Sequence, residues 1–123
     1  MKKIVFIAAP YFGDGQRNTI EQNIRTAERY QIALANTGIP FFCPHNHTEH
    51  FEEKAKAPEE FYRSMDFEIL KRACDAVLAI PGWEQSNGAQ KEVDWARENK
   101  IPVFFPTSTD DLNKIVAWAR VKN

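Results

Sequence analysis

Four short apolar runs, each followed by a longer stretch with helical periodicity, organise the 123-residue chain. The runs are rich in β-branched and aromatic residues and do not alternate with polar ones, so they predict strands that are covered on both faces. The predicted strands are Lys3–Ala9, Ile39–Cys43, Ala76–Ile80 and Ile101–Phe105. Strands that alternate with helices in this way predict a parallel sheet between two helical layers.

The helix after the first strand has its own start and stop signals. Asn18, followed three residues later by Glu21, predicts a capping box, and Gly38 predicts the C-terminal end. Its inward positions are Ile20, Ile24, Ala27 and Leu34. The segment Pro44–Lys56 shows no periodicity, so we expect a long loop, as is typical of a binding segment or lid.

Pro58 predicts the first turn of the helix that precedes the third strand. Its predicted inward stripe is Phe61, Met65, Ile69 and Ala73. The neighbouring line of Tyr62, Asp66 and Leu70 places Asp66 at the border of the core. Thr107–Asp111 predicts the cap of a last helix. The inward positions of that helix are Leu112, Ile115, Val116 and Ala119.

These elements predict one α/β domain over residues 1–123, a flavodoxin- or Rossmann-like three-layer sandwich. We expect a parallel sheet of four or five strands in the order 2-1-3-4. That order places the loops after the first and third strands side by side, where ligands bind in such sheets. The polar or aromatic side chains that then converge are Tyr11, Asp14, Ser86, Asn87 and Glu92.

Charge and composition narrow the class of partner. The formal net charge is -1, and acidic and basic residues are interspersed, so neither a nucleic-acid polymer nor an anionic membrane surface is indicated. No apolar run approaches the roughly 18 residues of a membrane span. Cys43 and Cys74 lie in or beside apolar runs, so we expect buried free thiols in a reducing compartment, the cytoplasm.

Glu92 stands near the start of the helix after the third strand, one step away from the inward stripe of Ala89, Val93 and Ala96. It has two interpretations. It is a surface acid favoured by the positive end of the helix dipole, or a carboxylate at a pocket wall that attacks a sugar carbon or activates water. Ser86-Asn87-Gly88 likewise forms either a helix cap or a seat for an anion.

Aromatic and histidine side chains leave further alternatives. Tyr11 and Phe12 either sandwich a planar base or pack on the long helix. Trp83 either stacks on a ligand or packs over the helices. The histidines of Pro44–Lys56 have H-x-H-x-x-H spacing and no nearby cysteine, so we predict no metal site. A histidine here either lines the pocket, as expected for His45, or satisfies backbone groups of the loop.

Three motifs carry a resemblance to a known family: AAPY at the end of the first strand, CDAVLAIPGW, and SNGAQKE. With Asp66 in the middle helix they resemble the nucleoside 2-deoxyribosyltransferase superfamily over Lys3 to Phe105. The chain is most similar to small, largely uncharacterised members with a PGWE-S-x-G-x-x-x-E signature.

The resemblance implies roles for individual residues. Glu92 would be the nucleophile that attacks C1′ of the sugar, Asp66 would protonate the departing base, and Tyr11 would position the glutamate. Ser86 would meet a phosphate, as in the branch that hydrolyses nucleoside 5′-monophosphates. The expected substrate-binding residues are Pro10, Asp14, His45, Trp83, Ser86, Asn87 and Gly88.

Two departures accompany the resemblance. The interval from Asp66 to Asp75 is one residue longer than usual, and the long C-terminal tail of the transferases is missing. Those enzymes complete their sites with a neighbouring subunit, so a homodimer or higher homo-oligomer is implied, with Thr107 and Ser108 as the candidate contribution.

The expected activity is cleavage of the base–sugar bond of a (deoxy)nucleoside 5′-monophosphate or nucleoside through Glu92, without metal or organic cofactor. Two alternatives stay open. One is a nucleotide-binding module without turnover, and the other is a related hydrolase of another ribosylated ligand, such as NAD or a cytokinin-type nucleotide.

Overall fold

The computed structural model describes residues 2–13 and 19–121. In chain order its strands are β1 (Val5–Ala8), β2 (Phe41–Phe42), β3 (Ala76–Ala79) and β4 (Val103–Phe104). Its helices are α1 (Ile20–Asn36), α2 (Pro44–His47), α3 (Phe51–Lys54), α4 (Glu59–Ala73), α5 (Asn87–Glu98) and α6 (Asn113–Arg120). A short 3₁₀ turn, Trp83–Gln85, precedes α5.

The four strands form one parallel sheet in the order β2-β1-β3-β4, which confirms the predicted α/β class and strand order. The two central strands pair in register along their whole length, with Ile7 opposite Leu78. Every residue of both strands is buried, which explains why their sequences are continuously apolar.

The alternation of side chains along β1 divides the core into two halves. Val5 and Ile7 face one half, which α1 and α6 close through residues such as Leu34 and Ile115. Phe6 and Ala8 face the other half. The residues of α4, its C-terminal end and α5 that close this second half are Leu70, Cys74, Ala89, Val93 and Ala96. The sheet therefore lies between two helical layers, with its carboxyl edge open to the loops after β1 and β3.

The predicted burial phase of α4 is wrong. Phe61 is 54% exposed and Ala73 is exposed, whereas the buried positions are Asp66 and Leu70. The buried face is thus the neighbouring line through Tyr62, Asp66 and Leu70, because that side of the helix turns toward the sheet and the open edge. Asp66 is only 9% exposed, deeper than a border position.

Two helix starts differ from the predictions. The capping box of α1 is formed by Thr19 and Gln22, which donate and accept reciprocally, and Asn18 lies outside the described residues. The last helix begins at Asn113 without a side-chain cap. Thr107 instead donates from its backbone N–H and its hydroxyl to the carboxylate of Asp111, which closes a turn before the helix.

The segment predicted as the loop Pro44–Lys56 contains the two short helices α2 and α3. Each has four residues, which is too short to produce a hydrophobic period in the sequence. Cys43 and Cys74 are buried free thiols, as predicted. Within residues 2–13 and 19–121, no helix is both long and apolar enough to cross a membrane.

Candidate active site

A cavity of about 1070 Å³ opens at the carboxyl edge of β1 and β3. This volume is at the upper end of the roughly 300–1000 Å³ that is usual for ligand sites. Its walls come from the loop after β1, the first turns of α1, the α2–α3 segment, the first half of α4, the loop after β3 and the start of α5. The cavity therefore occupies the switch point that the strand order predicts for a ligand.

Most of the residues that the sequence nominated line this cavity. They are Pro10, Tyr11, His45, Asp66, Ser86, Asn87, Gly88 and Glu92. Asp14 lies outside the described residues. Trp83 packs on Phe105, outside the cavity. The cavity thus collects residues from Ile7 to Glu92, which are 85 positions apart in the chain.

Glu92 projects into the cavity because α5 turns Ala89, Val93 and Ala96 toward the sheet. The residue keeps intermediate exposure on its cavity side, while its carboxyl group is densely surrounded by protein atoms. Burial, and then the negative charge of Asp66, raise the pKa of the Glu92 carboxyl well above its usual range; the Arg63 guanidinium acts in the opposite direction.

Asp66 faces the same cavity from α4. Its Oδ1 atom has no hydrogen-bond partner among the residues that the structure describes. Burial raises the pKa of the Asp66 carboxyl to about 7, so the group exchanges its proton near neutral pH.

The two carboxyl groups act as a coupled pair. Burial raises both pKa values, and the charge of Asp66 raises that of the Glu92 carboxyl in addition, so the two groups do not titrate independently. Because two like charges in one cavity repel each other, the pair favours a state in which the two groups share one proton. This combination is what cleavage of a glycosidic bond requires, since one group must donate a proton and the other must attack or activate a nucleophile.

The N-terminus of α5 opens into the cavity, with Ser86, Asn87 and Gly88 in its lining. Ser86 caps the helix by accepting the backbone N–H of Ala89 at 3.2 Å, which leaves its own O–H available to donate. A β-carbon placed on Gly88 would lie 3.8 Å from Nε of Arg63, so the guanidinium stands beside the free N–H groups of the first turn.

Arg63 was not singled out from the sequence. It pairs with Glu59 at 2.6 Å, a spacing of four residues that is typical of a solvated helix surface. No pattern in the sequence distinguishes this pair from the one between Glu68 and Arg72 on the same helix, which does not line the cavity.

Part of the cavity lining is aromatic. The ring of Tyr11 lies edge-on to His45, with centroids 5.1 Å apart, and edge-on to Phe12 at 5.2 Å. Phe51 lies edge-on to Tyr62 at 6.3 Å across the α3–α4 junction. Flat apolar walls of this kind suit a planar heterocycle.

Tyr11 makes its hydrogen bonds away from Glu92. Its hydroxyl donates to Glu52 at 2.6 Å and accepts the backbone N–H of His50 at 2.9 Å. Burial and the Glu52 carboxylate together raise the pKa of the Tyr11 hydroxyl above its usual value. These two hydrogen bonds connect the loop after β1 to the segment that contains α3. Neither of them involves Glu92, so they do not position it.

The three histidines do not converge. A ring N–H of His45 donates to the Pro10 carbonyl at 2.6 Å, and burial lowers the pKa of that imidazole, which keeps it neutral. His47 packs on Phe42, and His50 pairs with Glu21 at 2.8 Å. Within the described residues, the one group spaced to share a cation is Glu21, Glu49 and His50. The guanidinium of Arg25 already bonds to both of these glutamates.

Trp83 does not line the cavity. Its ring packs on Phe105, with centroids 5.3 Å apart, and the Arg97 guanidinium lies 5.8 Å from the ring centre. Gly82 explains why this loop is distinctive. Its φ is +96°, and an added β-carbon would lie 3.2 Å from Cγ of Pro10, so the loops after β1 and β3 meet at a position that favours glycine.

Gly82→Ala is expected to lower the free energy of unfolding by about 2 kcal/mol, through the left-handed backbone and the contact with Pro10. Gly38→Ala is the matched control, since Gly38 has a φ of +77° but open space around it. Urea denaturation of both variants separates the two causes. An equal loss in both would show that the approach of the two loops contributes nothing.

Comparison with known proteins adds one finding. No curated protein matches the chain. A family described as "Domain of unknown function (DUF7768)" matches residues 3–105, which includes all the strands and every described residue that lines the cavity. The chain therefore belongs to this family of domains.

Proposed function

We propose that the protein cleaves the bond between base and sugar in a (deoxy)nucleoside 5′-monophosphate. The observation that supports this most is the combination of groups in one cavity. The buried carboxyl groups of Glu92 and Asp66 share it with aromatic side chains and with a helix N-terminus flanked by Arg63. A nucleotide has a matching set of parts: a planar base, a glycosidic carbon and a phosphate.

In the proposed mechanism, the Glu92 carboxylate attacks C1′ while the C1′–N bond breaks, and the bonding electrons leave with the base. Asp66 supplies the proton that the departing nitrogen takes up. Water then attacks C1′ of the glycosyl-enzyme, gives a proton to the Asp66 carboxylate, and frees Glu92. The net reaction consumes one water and yields the free base and the sugar phosphate.

The resemblance to the nucleoside 2-deoxyribosyltransferase superfamily supports the same assignment of Glu92 and Asp66. The role that it implies for Tyr11 has no support in the hydrogen bonds described above, which go to Glu52 and His50. We propose instead that Tyr11 forms part of the aromatic wall and connects the α3 segment to the loop after β1.

A homo-oligomer remains part of the proposal. Thr107 and Ser108 are exposed and lie outside this chain's own cavity, so any contact they make with substrate would be in a neighbouring subunit. A nucleotide substrate and two buried free thiols are consistent with a reducing cytoplasm.

The test is release of free base from a panel of ribo- and deoxyribonucleosides and their 5′-monophosphates, followed by chromatography. We expect release from 5′-monophosphates and much slower release from the free nucleosides, because the α5 N-terminus and Arg63 would then have no anion to bind. No release from any member of the panel would remove the proposal.

One observation favours a second candidate, a nucleotide-binding module without turnover. Burial and the charge of Asp66 raise the pKa of the Glu92 carboxyl well above its usual range, which favours the carboxylic acid, a poor nucleophile, over the carboxylate. This candidate predicts stabilisation by nucleotide, about 2.7 kcal/mol at 100 times the dissociation constant, with no release of base.

A further inference from the structure

Two buried polar atoms on α4 have no hydrogen-bond partner among the described residues, namely the Tyr62 hydroxyl oxygen and Oδ1 of Asp66. The two residues are four positions apart on the helix, so they are neighbours on one face, and both line the cavity. Buried polar groups are nearly always paired in folded proteins, because leaving one unpaired is unfavourable. Two such atoms at a cavity wall therefore indicate where a ligand supplies the missing partners.

The surroundings of Tyr62 indicate which part of a ligand lies there. Phe51 is edge-on to its ring, at an interplanar angle of 85°, and Tyr11 and His45 contribute further aromatic surface to the same cavity. Arg63, the next residue on α4, lies instead beside Gly88 at the α5 N-terminus. Tyr62 thus lies with the aromatic part of the cavity lining, whereas Arg63 lies beside the α5 N-terminus.

We propose that the Tyr62 hydroxyl and Asp66 Oδ1 bind the polar edge of a nucleobase, and that Tyr62 is a residue that determines base specificity. Asp66 faces a ring nitrogen, and Tyr62 contacts the neighbouring exocyclic amino or oxo group. A hydroxyl both donates and accepts, so Tyr62 suits either group. The inference rests on the proposed function, because it assigns the base end of that same cavity.

The test compares Tyr62→Phe with Tyr30→Phe, which makes the same change at a buried tyrosine on the other side of the sheet, outside the cavity. Calorimetry measures the dissociation constants of the four common 2′-deoxynucleoside 5′-monophosphates and of 2-deoxyribose 5-phosphate. Thermal unfolding of the free proteins is measured alongside.

We expect Tyr62→Phe to weaken binding of at least one nucleotide about 10-fold, because one hydrogen bond to the ligand is lost. The affinity for the sugar phosphate should not change. The melting temperature of the free variant should not fall, because the hydroxyl has no described partner to lose. Tyr30→Phe should change none of the dissociation constants.

Three results would overturn the inference. The first is a lower melting temperature of free Tyr62→Phe, which would show that the hydroxyl has a partner within the protein. The second is an equal loss of affinity for nucleotides and for the sugar phosphate. The third is that no nucleotide binds, or that the substitution changes the affinity for none of them. Failure of the proposed function looks different, since nucleotides would then bind with this dependence on Tyr62 while wild-type protein released no base.

Discussion

Glu92→Gln is expected to lower the rate of base release by roughly 10⁴-fold or more. Losses of this size are typical when a nucleophile is removed from a set of catalytic residues that act together. Glutamine has nearly the same shape and cannot form the glycosyl-enzyme. Because the carboxyl is densely surrounded by protein and its pKa is already raised by burial, a neutral amide fits its position without loss of packing. Binding of nucleotide should therefore be retained.

Glu98→Gln is the matched control, because it makes the same change at an exposed position at the end of α5. Its rate and its nucleotide affinity should equal those of the wild type. If Glu92→Gln released base at an unchanged rate, Glu92 would be the dipole-stabilised helix acid of the alternative interpretation.

Asp66→Asn is expected to raise the free energy of unfolding at pH 8 by up to about 4 kcal/mol, the upper limit set by a pKa that burial raises from 3.8 to about 7. The folded protein binds a proton at Asp66 more tightly than the unfolded chain. The stability that this group contributes is therefore fully present below pH 3.8 and is lost as the pH rises to about 7. Asparagine never ionises, so the variant does not undergo this loss.

The same variant should be within about 1 kcal/mol of the wild type at pH 4, where Asp66 is protonated in the folded state and resembles asparagine in shape. Asp94→Asn changes an exposed carboxyl on α5 and should shift stability by less than about 0.5 kcal/mol at both values of pH. Urea denaturation at pH 4 and pH 8 measures the differences. A destabilised Asp66→Asn at pH 8 would mean that the carboxylate has a partner in the folded protein.

Asp66→Asn should also slow base release by about 10²- to 10⁴-fold, as expected for loss of a general acid. The variant would thus be more stable and less active than the wild type at pH 8. Such a trade-off between stability and activity is usual where a titratable group is buried at a catalytic site.

The sheet was predictable because continuous apolar runs and short crossovers leave few topologies open. The strand order in turn brought Tyr11, Ser86, Asn87 and Glu92 to one edge, and all four line the cavity. These positions follow from the backbone path, which a sequence pattern specifies well.

The details of α4 were not predictable in the same way. Phe61 and Met65 have the spacing of a core stripe, yet Phe61 is exposed, because the helix turns Tyr62 and Asp66 toward the cavity instead. A site that keeps polar groups on a buried face breaks the hydrophobic pattern, so pattern-based reasoning misplaces that face. For the same reason, Arg63 and the Tyr62 hydroxyl, which has no partner among the described residues, were recognised only from the structure.

Pro81-Gly82-Trp83 was the most distinctive motif of the sequence, and a ligand-stacking role for Trp83 was one expectation. In the structure, local geometry explains the motif. Gly82 permits the close approach to Pro10, and Trp83 packs on Phe105 and Arg97. A distinctive motif near a site can therefore shape the loop that bears the site rather than contact the ligand.

The central claim is that Glu92 forms a covalent bond to C1′. Mass spectrometry of protein that is quenched in acid during turnover of a nucleoside 5′-monophosphate tests it most directly. The account predicts an added sugar phosphate on the peptide that contains Glu92, absent in Glu92→Gln. Base release with no adduct on that peptide, at the same rate in both proteins, would contradict it.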